Sequence, residues 1–386
     1  MHLKMAKDFL PTNTFFYPRT RLSPYFEGTQ AAGAKTYSIY NHMYLPSWYR
    51  DTDDEYWALI KDVVIWDVAV ERQVQIKGPD AFKFTNYITT KDMNKCKTNQ
   101  CRFTLICDGN GGIINDPVLS RLKDDLFWLS ISDSDVLLWT KGLAHDSKWN
   151  VELSEPDVAP MQVQGPKSRP LMISIFGSKI ESLPYYHNME TTLSGMNMLV
   201  TRTGYTGEIG YEIYLKNAQR DGIKLWNTML EAGKSYNISP GVSSLIRRLE
   251  HGIRNYGQDM RLENNPYEVG LGFAVDLDQE ADFIGKKALI QIKKQELKQK
   301  IVGIEFGTER MKGWNEDCWP IMENGKQIGS VTTAAYSPSL KKNIGFAMLP
   351  IEKTEIGTKI TIISRGIKTG ATVIKEPFAK CKEKDK

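Results

Sequence analysis

The amino-acid sequence predicts an α+β fold in which two related α+β units precede a C-terminal β-barrel. Three observations support this prediction. Strand and helix patterns alternate in the first part of the chain, a second part repeats the plan, and short strands with glycine turns follow from Ile301. A chain of 386 residues is long enough for two or three packed modules. We expect these units at residues 1–150, 151–285 and 286–386.

The first unit is predicted to start with an irregular, aromatic and proline-rich segment, residues 1–30. EYWALIKDVVIWDVA then has helical spacing before strand-forming residues, and Val74 and Ile76 alternate with polar side chains in the next strand. Asp80 is expected to cap the helix that follows. CRFTLICD, IINDPVLSRL and LFWLSIS predict a three-stranded meander, because the intervening GNGG supplies positive φ angles at low cost. DSDVLLWTKGLAH completes the unit as a capped helix.

The second unit repeats this order of elements. VAPMQVQGPKSRPLMISIF predicts a strand, a turn and a helix, and NMLVTRTGYTGEIGYEIYL predicts another glycine-turned hairpin. The helices AQRDGIKLWNTMLEAG and SSLIRRLEHGIRNYG follow, and then a linker with a basic helix. From IVGIEFG to IKTGATVIK, short strands alternate with glycine turns, which is typical of a small β-barrel.

Charge and hydropathy exclude several classes of function. The net charge of +4 is mild, so nothing indicates a nucleic-acid partner. No apolar run reaches the roughly 18 residues that a membrane span needs. The first twenty residues lack the apolar core of a secretion signal, so we expect a cytoplasmic protein. These patterns leave the oligomeric state open, and a homodimer is one option.

Cysteines and histidines do not form a metal-binding or disulfide pattern. Five cysteines without paired spacing predict reduced, structural thiols, and the five scattered histidines include no HExxH or His-x-His pair. We therefore expect no metal site. The residues are Cys96, Cys101, Cys107, Cys318 and Cys381, together with His2, His42, His145, His187 and His251.

Two glycine-rich stretches do not fit nucleotide-binding motifs. GNGGIIND lacks the GK[ST] of a phosphate loop, and a strand rather than a helix follows its turn. GYTGEIG lacks the GxGxxG spacing and lies between two strands. The GxSxG of a nucleophile elbow is also absent.

Two carboxylates draw attention as site residues. Asp116 precedes Pro117 at a strand bend, so it either points into a cavity or is a solvated residue at a hairpin edge. Glu208 and Glu212 are four apart, so in one strand they would share a face. Glu212 lies among apolar residues, and a buried carboxylate needs donors. Either the paired N–H groups of a heterocycle or an arginine such as Arg202 would supply them.

Aromatic residues are dense between positions 37 and 66. Most are expected to pack in the core or on the surface, and some could enclose a cation that has no hydrogen-bond donors, such as a sulfonium. The residues are Tyr37, Tyr40, Tyr44, Trp48, Tyr49, Tyr56, Trp57 and Trp66.

Seven segments together resemble the glycine-cleavage T-protein (aminomethyltransferase) family. They occur in the family's order and spacing over about residues 30–375: GGIINDPV, QVQGPKS, RTGYTGEIGYEIYL, RRLEHGIRNYGQDM, NNPYEVGLGFAVD, FIGKKAL and SPSLKKNIGFAML. The resemblance implies a three-domain cloverleaf with tetrahydrofolate in a central channel.

The resemblance also implies roles for individual residues. Asp116 matches the family aspartate near the folate N5 and is the expected catalytic residue, and Glu212 matches the glutamate that binds the pterin edge. Tyr214 follows in the same strand, Arg248 matches the arginine of the L-R-L-E helix, and Gln164 lies in the matching QVQGPKS segment. We expect all five to contact folate.

Departures from the family pattern indicate a particular branch. The chain has WDVAVERQVQIKG where T-proteins usually read DVSHMGE, Asn115 where they have a first aspartate, and Arg247 where they have leucine. YNHM, WDVAVERQV, GGIINDPV and DSDVLLW resemble the dimethylsulfoniopropionate (DMSP) demethylase branch. That branch implies transfer of an S-methyl group from DMSP to N5 of tetrahydrofolate, with DMSP and folate as the partners.

A sulfonium cannot accept a hydrogen bond, so aromatic faces and a carboxylate are what a site can offer it. The substrate carboxylate needs donors instead. The residues we expect near the substrate are Tyr40, Trp66 and Tyr214 as aromatic faces, Ser130 and His42 as donors, and Asp133 beside them.

Two other functions stay open from sequence. The chain could be an aminomethyltransferase of the glycine cleavage system or a demethylase of another onium compound such as a betaine. It could also be a folate-binding scaffold without enzyme activity, although the KGCYxGQE-like segment of such relatives is absent.

Overall fold

The computed structural model describes residues 15–145 and 147–379 of the chain. The expectations for residues 1–14, His2 and Cys381 lie outside the described residues. Within the described part, the α+β class and the closed C-terminal β-barrel are confirmed.

The α-helices have the following bounds: α1 (Phe26–Ala31), α2 (Thr52–Lys61), α3 (Ala81–Ile88), α4 (Val136–His145), α5 (Ser168–Phe176), α6 (Ala218–Ala232), α7 (Leu245–Glu250) and α8 (Lys286–Lys294). The strands before the barrel are β1 (Thr36–Tyr40), β2 (Met43–Trp48), β3 (Val63–Asp67), β4 (Gln73–Lys77), β5 (Gln100–Phe103), β6 (Ile106–Cys107), β7 (Ile113–Asn115), β8 (Val118–Lys123), β9 (Leu126–Ser130), β10 (Glu152–Ser154), β11 (Val158–Gln164), β12 (Asn188–Leu193), β13 (Met196–Thr201), β14 (Gly210–Lys216) and β15 (Ile238–Pro240). Those of the barrel are β16 (Gln299–Phe306), β17 (Trp319–Glu323), β18 (Lys326–Ser337), β19 (Lys342–Pro350), β20 (Lys359–Ser364) and β21 (Ile367–Ile374).

The first unit contains a five-stranded antiparallel sheet in the order β10-β4-β9-β8-β5. The predicted meander is present as β5, β8 and β9. Each of its first two strands is interrupted, however, and the intervening pieces form the separate ribbon β6–β7. Pro117 stands at one interruption, where it has no N–H for a ladder. This bend places Asp116 between β7 and β8.

The second unit contains a six-stranded sheet in the order β12-β13-β14-β11-β3-β15. Its hairpin β13–β14 pairs Thr201 with Glu212. Strand β3 comes from the first 150 residues, so this sheet crosses the expected boundary. All five residues of β3 are buried, which is typical of an apolar strand covered on both faces.

The N-terminal segment is more regular than the sequence predicts. Residues 26–31 form α1, and Tyr25 is buried in the core of the second unit with Trp226. A Cβ atom on Gly28 would lie 2.6 Å from the Trp226 ring. Glycine therefore permits a close approach of α1 to α6 that composition alone does not reveal.

Two helix predictions need correction. Asp80 does not cap α3 through its side chain; its carboxylate accepts a hydrogen bond of 2.9 Å from the Asn150 N–H instead. The predicted helix over residues 243–257 is only the six-residue α7. Ser244 caps its start, and Gly252 has a φ of +71°, which a helix cannot continue.

The C-terminal strands close into a barrel in the order β16-β19-β18-β17-β20-β21. Helix α7 packs against this barrel. The buried Arg248 guanidinium forms an ion pair of 2.5 Å with Asp259 and donates to the Thr333 hydroxyl of β18 at 2.8 Å. The barrel is thereby fixed to the second unit. None of the helices described is both long and apolar enough to cross a membrane.

Asp67, the last residue of β3, is a buried carboxyl group held by neutral donors. The Ser23 hydroxyl and the Ala69 N–H, the latter at 3.1 Å, donate to it. Burial raises the pKa of Asp67 from 3.8 to about 6, although these donors oppose the rise. The native state therefore binds more protons than the unfolded state between these two pH values.

We predict that the free energy of unfolding of the wild type declines as pH rises from about 4 to about 6, and that Asp67→Asn lacks this decline. The sign follows because a raised carboxyl pKa favours the native state only while the group is protonated. Above pH 6 the variant should exceed the wild type by on the order of 2–3 kcal/mol in free energy of unfolding. Urea unfolding at several pH values measures this, with exposed Asp125→Asn as a control. If Asp67→Asn showed the same pH dependence of stability as Asp125→Asn, the prediction would be contradicted.

Candidate active site

A cavity of about 940 Å³ lies where the two sheets, α7 and the barrel meet. Its walls include two groups of residues that the sequence puts forward. One group is aromatic, with Tyr40 and Trp66, and the other is acidic, with Asp116 and Glu212. The fold therefore brings together residues that are up to 172 positions apart along the chain.

Asp116 lies in this cavity rather than at a solvated hairpin edge. Its neighbour Asn115 exchanges two hydrogen bonds with the backbone of Ser132, at 2.9 and 3.0 Å, which fixes the bend. The Ser132 hydroxyl then donates to the Asp116 carboxylate at 2.5 Å. Burial raises the pKa of Asp116 to about 7, and the Ser132 hydrogen bond is the main effect that opposes this rise. The group is therefore poised to exchange a proton near neutral pH.

Glu212 points into the cavity from β14 and is held by neutral donors. Gln162 Nε2 donates at 2.7 Å, the Thr203 hydroxyl at 2.6 Å and the Tyr214 hydroxyl at 2.8 Å. Burial raises the pKa of Glu212, and these donors lower it. These donors are a glutamine, a threonine and a tyrosine rather than an arginine, and a heterocycle as a further partner of Glu212 stays a prediction.

Glu208 has a different environment from Glu212. Strand β14 begins at Gly210, so Glu208 precedes it, and the prediction that both acids share one strand face is wrong. Glu208 is buried and forms an ion pair of 2.7 Å with Arg247, the residue that replaces the usual leucine. Arg247, which sequence reasoning did not consider as a carboxylate partner, therefore pairs with Glu208.

A further acid lines the cavity that sequence reasoning missed. Glu71 ends a short 3₁₀ turn, Ala69–Glu71, between β3 and β4, and its Oε2 accepts a hydrogen bond of 3.1 Å from Ser130. Burial, and then the charge of Glu212, raise the pKa of Glu71 well above its usual range. The only sequence signal was the departure WDVAVERQV, in which this acid stands.

The β1–β2 hairpin carries Tyr40 to the cavity wall. At its tip, Asn41 is buried with a φ of +47°, and its side-chain amide donates to the carbonyls of Val70 and Ser132, both at 3.0 Å. Asp133 is exposed and accepts from the Asn41 N–H at 2.8 Å. Asn41, which the sequence did not single out, therefore anchors the hairpin to the segment that holds Asp116.

Other expected site residues differ in their distance from the cavity. Ser130 lines it, whereas Tyr214 is not a wall residue; its hydroxyl lies 3.4 Å from Ser130 Oγ and donates to Glu212. His42 is exposed and lies 3.3 Å from Asp135, so neither it nor Asp133 is a cavity wall residue. Gln164 is also outside the wall.

Gln164 has a structural environment. Its amide oxygen accepts from the Thr206 hydroxyl at 3.0 Å, and a Cβ on Gly204 or Gly210 would lie 2.4 or 2.2 Å from that oxygen. The side chain therefore fills the space under the loop between β13 and β14. Arg248 does line the cavity, but its hydrogen bonds go to Asp259, Gln258, Thr333 and the Ile253 carbonyl.

In the described ranges 15–145 and 147–379, no cluster of three or more His, Cys, Asp or Glu side chains is arranged to hold a metal ion. The cavity acids accept hydrogen bonds from hydroxyl and amide groups.

Comparisons with known proteins agree with this architecture. The GCVT N-terminal domain family matches residues 25–279, and the glycine cleavage T-protein C-terminal barrel domain family matches residues 299–380. The dimethylsulfoniopropionate demethylase DmdA of Ruegeria pomeroyi is 36% identical over 344 residues, 89% of this chain and 93% of that protein. The aminomethyltransferase of Alkaliphilus metalliredigens is 32% identical over 345 residues, 87% of this chain and 91% of that protein.

A solved structure shows the same fold. The glycine cleavage system aminomethyltransferase T of Bartonella henselae superposes with a TM-score of 0.83 at 22% identity, over 94% of this chain and 98% of that one. The two family matches indicate a folate-dependent one-carbon transferase, and the solved structure shares the fold. The chain belongs to the glycine cleavage T-protein family, whose enzymes use tetrahydrofolate as the one-carbon acceptor.

We predict that Asn41→Ala loosens the β1–β2 hairpin. The change removes the amide donor from the Val70 carbonyl and from the Ser132 carbonyl, of which the second keeps the Asn115 amide, and it puts alanine at a left-handed φ. Together these effects should lower the free energy of unfolding by roughly 2–4 kcal/mol. Hydrogen exchange of residues 36–48 and thermal unfolding measure the effect. Asn41→Gly is the matched comparison, because glycine accepts the φ and lacks the amide. Full wild-type protection in the glycine variant would show that the amide does not anchor the hairpin.

Proposed function

We propose that this protein is a tetrahydrofolate-dependent demethylase that transfers the S-methyl group of dimethylsulfoniopropionate to N5 of tetrahydrofolate. The products are 3-methylthiopropionate and 5-methyltetrahydrofolate. One observation carries the proposal: a single cavity combines aromatic walls with acids held by neutral donors. Such a site suits a cation that cannot form hydrogen bonds. The likeness to the Ruegeria pomeroyi demethylase gives independent support.

The cavity residues fit a folate heterocycle. Glu212 is a buried acceptor, and beside it the Gln162 Oε1 atom is buried with no hydrogen-bond partner in the part of the chain described. A ligand that brings N–H groups would satisfy both atoms. Glu212 and Gln162 would hold the heterocycle, and the Tyr214 hydroxyl would fix the Glu212 carboxylate. Tetrahydrofolate, when bound, supplies a secondary amine at N5 as the methyl acceptor.

Tyr40 and Trp66 are the aromatic residues proposed for the donor. A methyl group on a sulfonium is already activated, because a neutral thioether leaves when it is transferred. The protein then has to align the reacting groups and exclude water. Tyr40 lies on the hairpin that Asn41 anchors, and the buried Trp66 is held within β3. Both rings therefore have fixed positions.

Methylation of a secondary amine by a sulfonium releases one proton, and Asp116 is the group proposed to take it. Its carboxylate faces the cavity, and its pKa of about 7 makes it half-ionised near neutral pH. The Ser132 hydrogen bond orients the acceptor oxygen. Asp116 would thus hold the proton at a carboxylate oxygen after methyl transfer.

The aminomethyltransferase reaction is the second proposal. The relatives include aminomethyltransferases at 31–32% identity, among them that of Bacillus subtilis. That reaction needs an aminomethylated lipoyl carrier protein, whereas the demethylase needs only two small molecules. Dependence on the carrier separates the two.

We predict that the purified protein, mixed with tetrahydrofolate and dimethylsulfoniopropionate alone, forms 5-methyltetrahydrofolate and 3-methylthiopropionate in equal amounts. Chromatography follows both products, and glycine betaine and dimethylglycine serve as comparison donors. Turnover only with an aminomethylated carrier protein would replace the first proposal by the second.

We predict that kcat/KM falls about tenfold per pH unit below pH 7, because only the ionised Asp116 accepts the proton. Above pH 7 the carboxylate is ionised and this dependence ends. Asp116→Asn should lower turnover by roughly 10²-fold or more and remove the acid limb. A pH–rate profile of both proteins checks this. Equal turnover in the two proteins would remove Asp116 from the proton transfer.

A further inference from the structure

Glu71 is a cavity acid to which the proposed reaction assigns no role. It follows the buried β3 through a tight 3₁₀ turn, so its backbone position is fixed by the six-stranded sheet. Ser130 holds the Oε2 atom at 3.1 Å. The Oε1 atom has no hydrogen-bond partner among the residues described here, and the side chain forms part of the cavity wall.

Two neighbouring hydroxyl groups lie between Glu71 and Glu212, and each donates to one of the two acids. Ser130 Oγ donates to Glu71 and lies 3.4 Å from the Tyr214 hydroxyl, which donates to Glu212 at 2.8 Å. Ser130 ends a strand of the first sheet, and Tyr214 lies on a strand of the second. The two carboxyl groups therefore stand on one wall of the cavity, at the junction of the sheets.

This wall has more acceptors than donors. The hydroxyls of Ser130, Thr203 and Tyr214 and the Gln162 amide N–H already donate to Glu71 or Glu212. Glu71 Oε1 and the buried Gln162 Oε1 are left as acceptors. A ligand that brings N–H groups to this wall would satisfy the buried Gln162 Oε1 atom and could also pair with Glu71 Oε1.

We propose that Glu71 is a second acid group that binds the donor-rich edge of the folate heterocycle together with Glu212. The 2-amino-4-oxo ring of tetrahydrofolate carries N–H donors at N3, at N8 and on the 2-amino group. One carboxyl group can pair with only part of this set. The proposal rests on the folate site proposed above but not on the identity of the methyl donor.

The chemistry of Glu71 favours the folate over the cationic donor as its partner. Burial and the neighbouring Glu212 raise the pKa of Glu71 well above its usual range, which favours the neutral form of the group. A neutral carboxyl group does little for a sulfonium, but it can exchange hydrogen bonds with a ring that carries both donors and acceptors.

The test measures the dissociation constant of tetrahydrofolate by anaerobic calorimetry, with no methyl donor present. Glu71→Leu removes both oxygens at similar size and should weaken binding on the order of tenfold or more. Glu71→Gln keeps an amide oxygen and should lie between the leucine variant and the wild type. The exposed Glu152→Gln should bind as the wild type does. Circular dichroism establishes which variants fold.

The KM for dimethylsulfoniopropionate separates binding of folate from binding of the donor. We expect it to change less than the folate dissociation constant, since a general loss of structure would change both. An unchanged folate dissociation constant in any Glu71 variant that folds overturns the proposal, and a raised donor KM in that case assigns Glu71 to the donor. A wild type that binds folate but does not use dimethylsulfoniopropionate overturns the proposed substrate and leaves this inference in place.

Discussion

Buried carboxyl groups need hydrogen-bond donors, and in this protein each of two packed sheets supplies them to one acid of the cavity wall. Ser130 ends a strand of the first sheet, and Tyr214 lies on a strand of the second. Their hydroxyls connect Glu71 with Glu212 across the junction. Glu212 takes its donors from the second unit and Glu71 takes its donor from the first sheet, so the packing of the two sheets brings the two acids to one cavity wall.

The donors at these acids are neutral, and this determines the electrostatics of the cavity. A cation would keep a carboxylate ionised, whereas hydroxyl and amide donors only partly offset the cost of burial. Asp116 consequently has a pKa of about 7. The buried arginines are engaged elsewhere, Arg247 with Glu208 and Arg248 with Asp259. The arginines thus form ion pairs with Glu208 and Asp259, while Asp116 and Glu212 are held by hydroxyl and amide groups.

Two segments at the cavity wall depart from the family pattern, while the fold does not. At 22% identity, the Bartonella henselae aminomethyltransferase shares this architecture over nearly the whole chain. The β1–β2 hairpin and the turn that carries Glu71 both lie in segments where the sequence differs from the usual T-protein motifs. Short segments at the cavity wall can therefore vary while the fold is kept.

The sequence by itself determined the α+β class and the terminal barrel, and it put forward Asp116 and Glu212 as candidate site residues, because periodicity, glycine turns and family motifs are local signals. Tertiary structure decided the rest. Strand β3 joins a sheet made mostly of later residues. Its apolar sequence predicts a strand that is covered on both faces, but it does not show which strands are its neighbours. His42 is exposed, and Gln164 packs under a loop. The positions of Glu71 and Asn41 at the cavity are recognised only from their contacts with Ser130, Val70 and Ser132. Local sequence patterns do not show which distant groups line one cavity.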